Sequence, residues 1–380
     1  MKIAMLVVDD RFGASEPVPK FGAAFTALLA GFNACAEPFE LHVISCTLFH
    51  EMETIKLSHK ISFHGIPVPK RGYLRTLHTG CMQAVKKLIQ EIKPDVVHAQ
   101  GTERWCAVAS MWLQEPKVLT IHGNLVVIDK IIRSKPRLYW KLQTLLQRIA
   151  LPRFDGVFCN SAYTESCLKP SAKKTWRVDN PIRQDFLNPL ENPIRSDTPV
   201  LINVGIFQER KRQLELLNLA KNLHEQGVEV IFRFVGQIPD DDYGRQCRVL
   251  LDEGTNAGYA QYMGMKTSAE LVTEMDHAHG MIHCPSEEAF GLVVAEGLSR
   301  GLKFFGSAVG GIQDITQNIP GCELFHADDW AGLATAVTFW INNGAPRQAD
   351  AAPLMVERYA PEVIARRHLE IYQELISQTK

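Results

Sequence analysis

The residues with the clearest chemical potential lie in the run Cys284-Pro285-Ser286-Glu287-Glu288-Ala289-Phe290-Gly291-Leu292-Val293-Val294-Ala295-Glu296-Gly297-Leu298, which follows a strand-like segment and opens a helical one. A helix starting near Gly291 presents free backbone N–H groups and a partial positive charge to the loop before it, which favours a phosphate there. Glu288 falls in that loop and Glu296 more than a turn into the helix. Two carboxylates so spaced can each accept hydrogen bonds from vicinal hydroxyls, one set on a sugar ring and one on a ribose, with a diphosphate between them. Taken alone, the segment is equally consistent with a loop acid followed by a solvated helix residue.

A site of this kind needs elements that hold loops at the ends of strands. Short β-rich apolar runs alternate with amphipathic segments along almost the whole chain, the pattern of parallel sheets covered on both faces. Strands are expected near 2–8, 40–45, 95–98, 117–121, 156–159, 200–205, 229–235, 280–283 and 303–305. Helices are expected near 21–34, 73–92, 104–113, 136–150, 161–168, 211–226, 267–276, 291–300 and 328–343. At 380 residues the chain is long enough for two cores. Asn180-Pro181 and the polar, proline-containing stretch Asn188–Pro193 read as a linker between an N-terminal domain over 1–188 and a C-terminal one over 189–360. A helix over 361–380 is free by its pattern to pack on either, the N-terminal domain included. The expected class is α/β, two Rossmann-like doubly wound domains facing across a cleft. Ligands of such sheets bind beyond the carboxyl ends of strands.

Composition narrows the function. Hydrophobic residues make up 46% and charged residues 22%, a globular composition, and no apolar run is long enough to span a bilayer. The N-terminal Met1–Val8 run reads as a buried strand rather than a signal peptide, so the expected location is cytoplasmic. Nine scattered cysteines without a Cys-x-x-Cys pair argue against a disulfide framework and against a metal site. The net charge is −1, yet residues 1–190 are net basic and the remainder net acidic. A basic half suits phosphate, nucleic acid or an anionic membrane, and charge alone does not choose.

With its surroundings, the Glu288–Glu296 run resembles the donor-binding motif of the retaining GT-B glycosyltransferases (glycosyl transferases group 1, family 4), in which two glutamates with seven residues between them flank a Phe-Gly-Leu turn. Gly301-Leu302-Lys303 through Val309-Gly310-Gly311-Ile312 resembles the family's Gly-x-Pro run and Val-Gly-Gly-Ile loop, with Lys303 in place of proline. Val204-Gly205-Ile206-Phe207-Gln208-Glu209-Arg210-Lys211 resembles its strand, Gly-Arg turn and lysine, while Phe234-Val235-Gly236 and Tyr262-Met263-Gly264 match later strand-to-glycine turns. The resemblance implies transfer of a sugar from a nucleoside diphosphate sugar to an acceptor hydroxyl with retention, in glycan, polysaccharide or lipid-linked oligosaccharide synthesis. UDP stands first among UDP, GDP and ADP, and no separate cofactor or metal is required.

The same resemblance assigns roles. Glu288 holds hydroxyls of the transferred sugar, Glu296 binds ribose, Lys211 neutralises the leaving diphosphate, and Gly205, Phe290, Gly291 and Leu292 lie along the donor. The backbone at Met265 reads the base edge. Ile206 departs from the pattern by replacing the arginine that shares phosphate charge, leaving Arg210 or Arg212 as substitutes. In the N-terminal half, His122 ends the strand-like run Val118–Ile121 on the catalytic side, and Gly22 is what remains of a double-glycine phosphate loop. His98 either lines an acceptor pocket or sits satisfied in the core, and Asn160-Ser161 reads as a helix N-cap. The basic, leucine-rich stretch 128–154 is either a solvated helix or a peripheral membrane contact suited to a lipid-linked acceptor.

Other classes fit less well. A nicotinamide oxidoreductase needs Gly-x-Gly-x-x-Gly after the first strand, which Arg11-Phe12-Gly13-Ala14-Ser15 does not supply. Nucleic-acid binding lacks a recognisable module. A non-catalytic nucleotide-sugar or carbohydrate-binding protein on the same fold is the alternative, motivated by Ile206 and the reduced glycine loop.

Overall fold

The computed structural model describes residues 1–11, 18–48, 51–102, 104–123, 137–188 and 196–379. It divides into two compact units, Met1–Pro181 with Pro361–Lys380, and Ile182–Ala360. In the first unit the strands are β1 (Lys2–Leu6), β2 (Glu40–Thr47), β3 (Glu53–Lys56), β4 (Ile61–Pro67), β5 (Val96–Gln100), β6 (Lys117–Ile121), β7 (Gly156–Cys159) and β8 (Thr175–Arg177). They form one sheet in the order β3-β4-β2-β1-β5-β6-β7-β8, in which β3 runs antiparallel to β4 and the other pairs are parallel. Helices α1 (Ala23–Ala34), α2 (Thr79–Ile92), α3 (Cys106–Ser110), α4 (Arg137–Ala150) and α5 (Ala162–Leu168) connect them. Because side chains alternate along a strand, β1 feeds two cores. Ala4 and Leu6 join Val85 and Ile89 of α2, whereas Ile3 and Met5 join Phe25, Leu28 and Phe32 of α1.

The second unit contains β9 (Val200–Val204), α6 (Gln213–Glu225), β10 (Ile231–Val235), α7 (Asp242–Ala257), β11 (Ala260–Tyr262), α8 (Ser268–Asp276), β12 (Gly280–His283), α9 (Leu292–Ser299), β13 (Lys303–Ser307), α10 (Gly310–Thr316), β14 (Cys322–Phe325), α11 (Trp330–Asn342) and α12 (Ala351–Tyr359). Its sheet is parallel, in the order β11-β10-β9-β12-β13-β14. The chain leaves β9 toward β10 and returns to its other side at β12. The loops after β9 and β12 therefore meet at the topological switch point, where open α/β sheets bind ligands.

The structure departs from the sequence-based expectation at the domain boundary and at one helix start, and it adds elements not expected there, β3, β4, β8, β11, β14 and α7 among them. By contacts the chain divides at Pro181–Ile182, at the Asn180-Pro181 end of the expected linker and not at 188: Ile182 and Phe186 are buried in the second unit's core, and the Ile182 N–H donates to the Tyr359 carbonyl at 2.9 Å. Most of the expected linker, residues 189–193, lies outside the described residues. The helix expected near 73–92 begins only at Thr79, after two 3-10 turns at Lys70–Gly72 and Leu74–Thr76. The final helix, α13 (Pro361–Thr379), belongs to the first unit, where Ile364, Leu369, Tyr372 and Leu375 pack in the core that α1 lines.

Candidate active site

The site in the second unit starts from two strand ends. β9 delivers the chain to Gly205, whose carbonyl comes so close to Gly236 that a Cβ there would lie 2.1 Å from it. Beyond this turn a short 3-10 turn, Glu209–Lys211, precedes α6 and carries two cations. β12 delivers His283 and then the loop ending at Gly291, whose φ of +99° starts α9 without a side-chain cap. That conformation is readily adopted only by glycine, and it leaves the first N–H groups of α9 available to a ligand.

The two loops are stitched together. The Ser286 N–H donates to the Arg210 carbonyl at 2.8 Å, and the Arg210 guanidinium donates to the Glu287 carbonyl at 3.1 Å. Lys211 donates directly to the Glu288 carboxylate, with Arg210 at 3.9 Å and the His283 Nε2 at 3.5 Å from the same oxygen. The Gly311 N–H donates to the Glu288 carbonyl at 2.9 Å, tying the Val-Gly-Gly loop to the same point. Burial acts to raise the Glu288 carboxyl, but Lys211, His283 and Arg210 together outweigh it and hold the group well below the usual carboxylate range. Burial, reinforced by Lys211 against the opposing pull of Glu288, pushes His283 down to about 4, so its imidazole is neutral at ordinary pH. The balance at this point is two fixed cations, one carboxylate and a helix N-terminus. An excess of positive charge at the edge of a low-dielectric site attracts a polyanion such as a diphosphate.

Of the two arginines considered as substitutes at Ile206, Arg210 lies in this cluster. Arg212 is turned away, bonding Asp328 at 2.7 Å and lying over the Trp330 ring at 4.8 Å. Phe290 is buried with its ring edge-on to Tyr359 at 5.7 Å, and Leu292 is half-buried in the first turn of α9. Met265 is exposed just beyond Gly264, whose carbonyl accepts from the Gly236 N–H at 2.9 Å. Glu296 is wholly buried, and both its oxygens are taken by Arg183, from Nε at 2.7 Å and Nη2 at 2.9 Å. Burial raises the Glu296 carboxyl, and Arg183 offsets this only in part.

Sequence reading did not single out Arg183 or His283. His283 carried a signal, since it closes a strand at the end where ligands bind. Arg183 carried none, because 113 residues separate it from Glu296.

The remaining candidates belong to the first unit. Gly22 is exposed before α1 with open space around it. His122 is half-buried, its Nε2 at 3.0 Å from the Gln100 side-chain oxygen, and with Gln100, Thr120 and His368 it lines a small pocket. His98 is fully buried between Tyr372 and Thr120, in the core. Ser161 caps α5, accepting from the Thr164 N–H at 3.0 Å. All nine cysteines are free, seven of them buried. Among the described residues, no group of three or more His, Cys, Asp or Glu side chains converges as a metal site, and no helix is long and apolar enough to cross a membrane.

Comparison with known proteins bears on the family and the fold. Residues 33–182 match the model of Glycosyltransferase Family 4, and residues 187–352 match that of Glycosyl transferases group 1. The chain is similar in structure to sucrose-phosphate synthase (tll1590) from Thermosynechococcus elongatus, with a TM-score of 0.81, 17% identity and 99% of each chain covered. It is also similar to Anabaena Alr3699/HepE in complex with UDP, with a TM-score of 0.72, 15% identity and coverage of 98% of this chain and 100% of that one. The apo lipopolysaccharide outer core galactosyltransferase WaaB gives a TM-score of 0.70 at 16% identity, with both chains fully covered. No curated protein matches the sequence. Two family models in tandem over most of the chain, and two parallel-sheet α/β units with full-length GT-B neighbours, lead to one conclusion: the chain is a glycosyltransferase of the GT-B fold, a member of family 4 with a group 1 C-terminal half.

Proposed function

We propose that the chain transfers a sugar from a nucleoside diphosphate sugar, UDP-linked in the first instance, to a hydroxyl of a carbohydrate or lipid-linked acceptor, with retention of anomeric configuration. The observation that carries this reading is the Arg210–Lys211–Glu288 cluster beside the uncapped N-terminus of α9. Lys211, Arg210 and the α9 N–H groups take up the charge that develops on the departing diphosphate, a large catalytic contribution when the donors are fixed in advance. Glu288, kept ionised by its neighbours, accepts hydroxyls of the transferred sugar. Gly205, Phe290, Gly291 and Leu292 line the donor, Met265 meets the base, and His122 with Gly22 serves the first unit's side of the reaction. The UDP in the HepE complex supports the choice of base. Arg210 answers the gap at Ile206 and so favours catalysis over binding alone.

The reading extends to polysaccharide or lipid-linked glycan synthesis on the cytoplasmic side, with peripheral membrane contact through 128–154. The face of α4 supports that contact. Leu138 is 80% and Leu145 51% exposed, alternating with exposed Lys141 and Arg148. Residues 128–136 of the stretch lie outside the described residues.

The test is donor turnover with a panel of UDP-, GDP- and ADP-sugars, with the product anomer read by NMR. One donor should turn over with retention, and Lys211→Ala or Glu288→Gln should lower kcat/KM by about 10²–10³-fold. An inverted product, or turnover unchanged in both variants, would falsify the assignment.

A further inference from the structure

In the second unit, α6 and α11 pack beside each other and leave between them an open cavity of about 430 Å³, within the roughly 300–1,000 Å³ of small-molecule sites. Its polar wall is one face of α6, where Glu215, Asn218, Asn222 and the capping residue Gln226 recur every three or four positions over about 16 Å. Trp330, the first residue of α11, lines it from the other helix, and Leu219, Leu223 and Ala334 add apolar surface. Asn218 returns its Nδ2 to the Leu214 carbonyl at 3.0 Å and keeps Oδ1 as an acceptor. Asn222 and Gln226 are exposed, and neither their side chains nor the Trp330 N–H bond another described residue. Glu215 Oε1 lies 3.5 Å from Arg212 Nε, and its Oε2 has no donor among the described residues. Arg212 also bonds Asp328 at 2.7 Å and lies over the Trp330 ring at 4.8 Å, which fixes the indole at the head of the groove.

These groups together select a ligand. Carboxamides donate and accept side by side, as hydroxyls require, and an indole offers an N–H together with an apolar face for the C–H bonds of a ring. An apolar ligand would strand the amides without partners. An anion would meet the Glu215 carboxylate, and among the described residues no cation lines the cavity. An extended peptide needs a strand edge to pair with, which two helices do not offer. We infer that this groove is a carbohydrate-binding site separate from the donor cluster, taking a neutral oligosaccharide along α6 with one sugar ring against Trp330. The polar row is longer than a single sugar, and its head follows the turn that carries Arg210 and Lys211. A glycan held there is kept at high local concentration beside a glycosyltransferase site without entering the reaction.

The experiment is calorimetric titration of the full chain, with no nucleotide sugar present, against neutral trisaccharides of glucose, galactose, mannose and N-acetylglucosamine in α and β linkage. At least one should bind with a Kd of about 10 mM or tighter. The double variant Asn222→Ala, Gln226→Ala should weaken that binding about tenfold through the loss of two hydrogen bonds, and Trp330→Ala should weaken it about tenfold through the loss of the ring contact. Neither variant should change kcat/KM for donor hydrolysis, whereas Glu288→Gln should lower turnover and leave the oligosaccharide bound as before. Should Trp330→Ala not fold, the double variant decides alone, since both of its side chains lie on the surface. Absence of binding by every trisaccharide overturns the inference. Binding that survives in the double variant, or is lost in Glu288→Gln, places the sugar elsewhere and overturns it too. Tighter binding of a glucuronic acid trisaccharide than of its glucose counterpart overturns the assignment to a neutral ligand. Because binding is read without donor, failure of the groove and failure of donor turnover are separate results.

Discussion

Glu288 is an acid surrounded by bases, and this makes its effect on stability depend on pH. Its folded pKa is depressed, so the stabilisation it contributes is fully present above the unfolded carboxylate range, near pH 4, and is lost as pH falls toward the folded value. In Glu288→Gln the charged bond from Lys211 is absent at every pH. Urea denaturation should therefore show the wild type more stable by roughly 1–3 kcal/mol at neutral pH, with the difference shrinking below about pH 4. A constant difference across that range would mean that Lys211 does not hold the carboxylate. Glu288 and Gly291 were legible in the sequence as a local strand-loop-helix pattern, and Lys211 through the family resemblance of the run after β9. Whether Arg210 or Arg212 joins them was not legible, since it depends on the direction each side chain takes from a 3-10 turn that ends in the left-handed residue Arg212. The ligation of Glu296 by Arg183 was not legible either, for it joins segments that only folding brings together.

Among the elements, α13 shows how a helix can be plain in sequence and its destination hidden. Its buried residues Ile364, Leu369, Tyr372 and Leu375 are spaced for one helical face, but any apolar surface would have satisfied that face. One contact particular to this destination is polar. The Tyr372 hydroxyl meets His98 Nδ1, and His98 Nε2 lies 2.7 Å from the Thr120 hydroxyl, so a fully buried imidazole is satisfied at both nitrogens. Burial, with His368 and His122 adding to it, holds His98 well below its ordinary value, hence neutral. Tyr372→Phe keeps the packing and leaves Nδ1 unpaired, and should cost about 1–3 kcal/mol in chemical denaturation without altering the far-UV spectrum. No loss would place the selectivity of α13 in packing alone. Other elements escaped the sequence reading for physical reasons. In α7, Gly244 and Gly254 interrupt the helical pattern, yet a Cβ at Gly244 would lie 2.0 Å from the Pro239 carbonyl. β4 carries His64 and Gly65 in its middle, and β8 and β11 are three residues each, too short for a period to show.

For the molecule as a whole, the uneven charge along the chain finds its counterpart on the first unit, which carries α4 and the basic residues around it. Leu138 and Leu145 stand exposed on the same helix as exposed Lys141 and Arg148, while Trp112, 53% exposed, lies 4.3 Å under the Arg153 guanidinium. Exposed leucines gain nothing from water, whereas at a bilayer surface they enter the acyl boundary as the cations meet anionic headgroups, each worth about 1 kcal/mol. If the proposed membrane contact holds, the protein should float with vesicles containing phosphatidylglycerol and not with phosphatidylcholine alone. Binding should fall at least about tenfold in the double variant Leu138→Ser, Leu145→Ser, a loss of about 1.4 kcal/mol. It should also be released by about 0.5 M salt, where exposed charges are screened over a few ångströms. Equal binding by the double variant would make this helix a solvated face and assign the attraction to diffuse charge. Loss in the variant with the salt response kept would identify the leucines as the insertion point, and would bring the first unit to the surface where the proposed lipid-linked acceptor would reside.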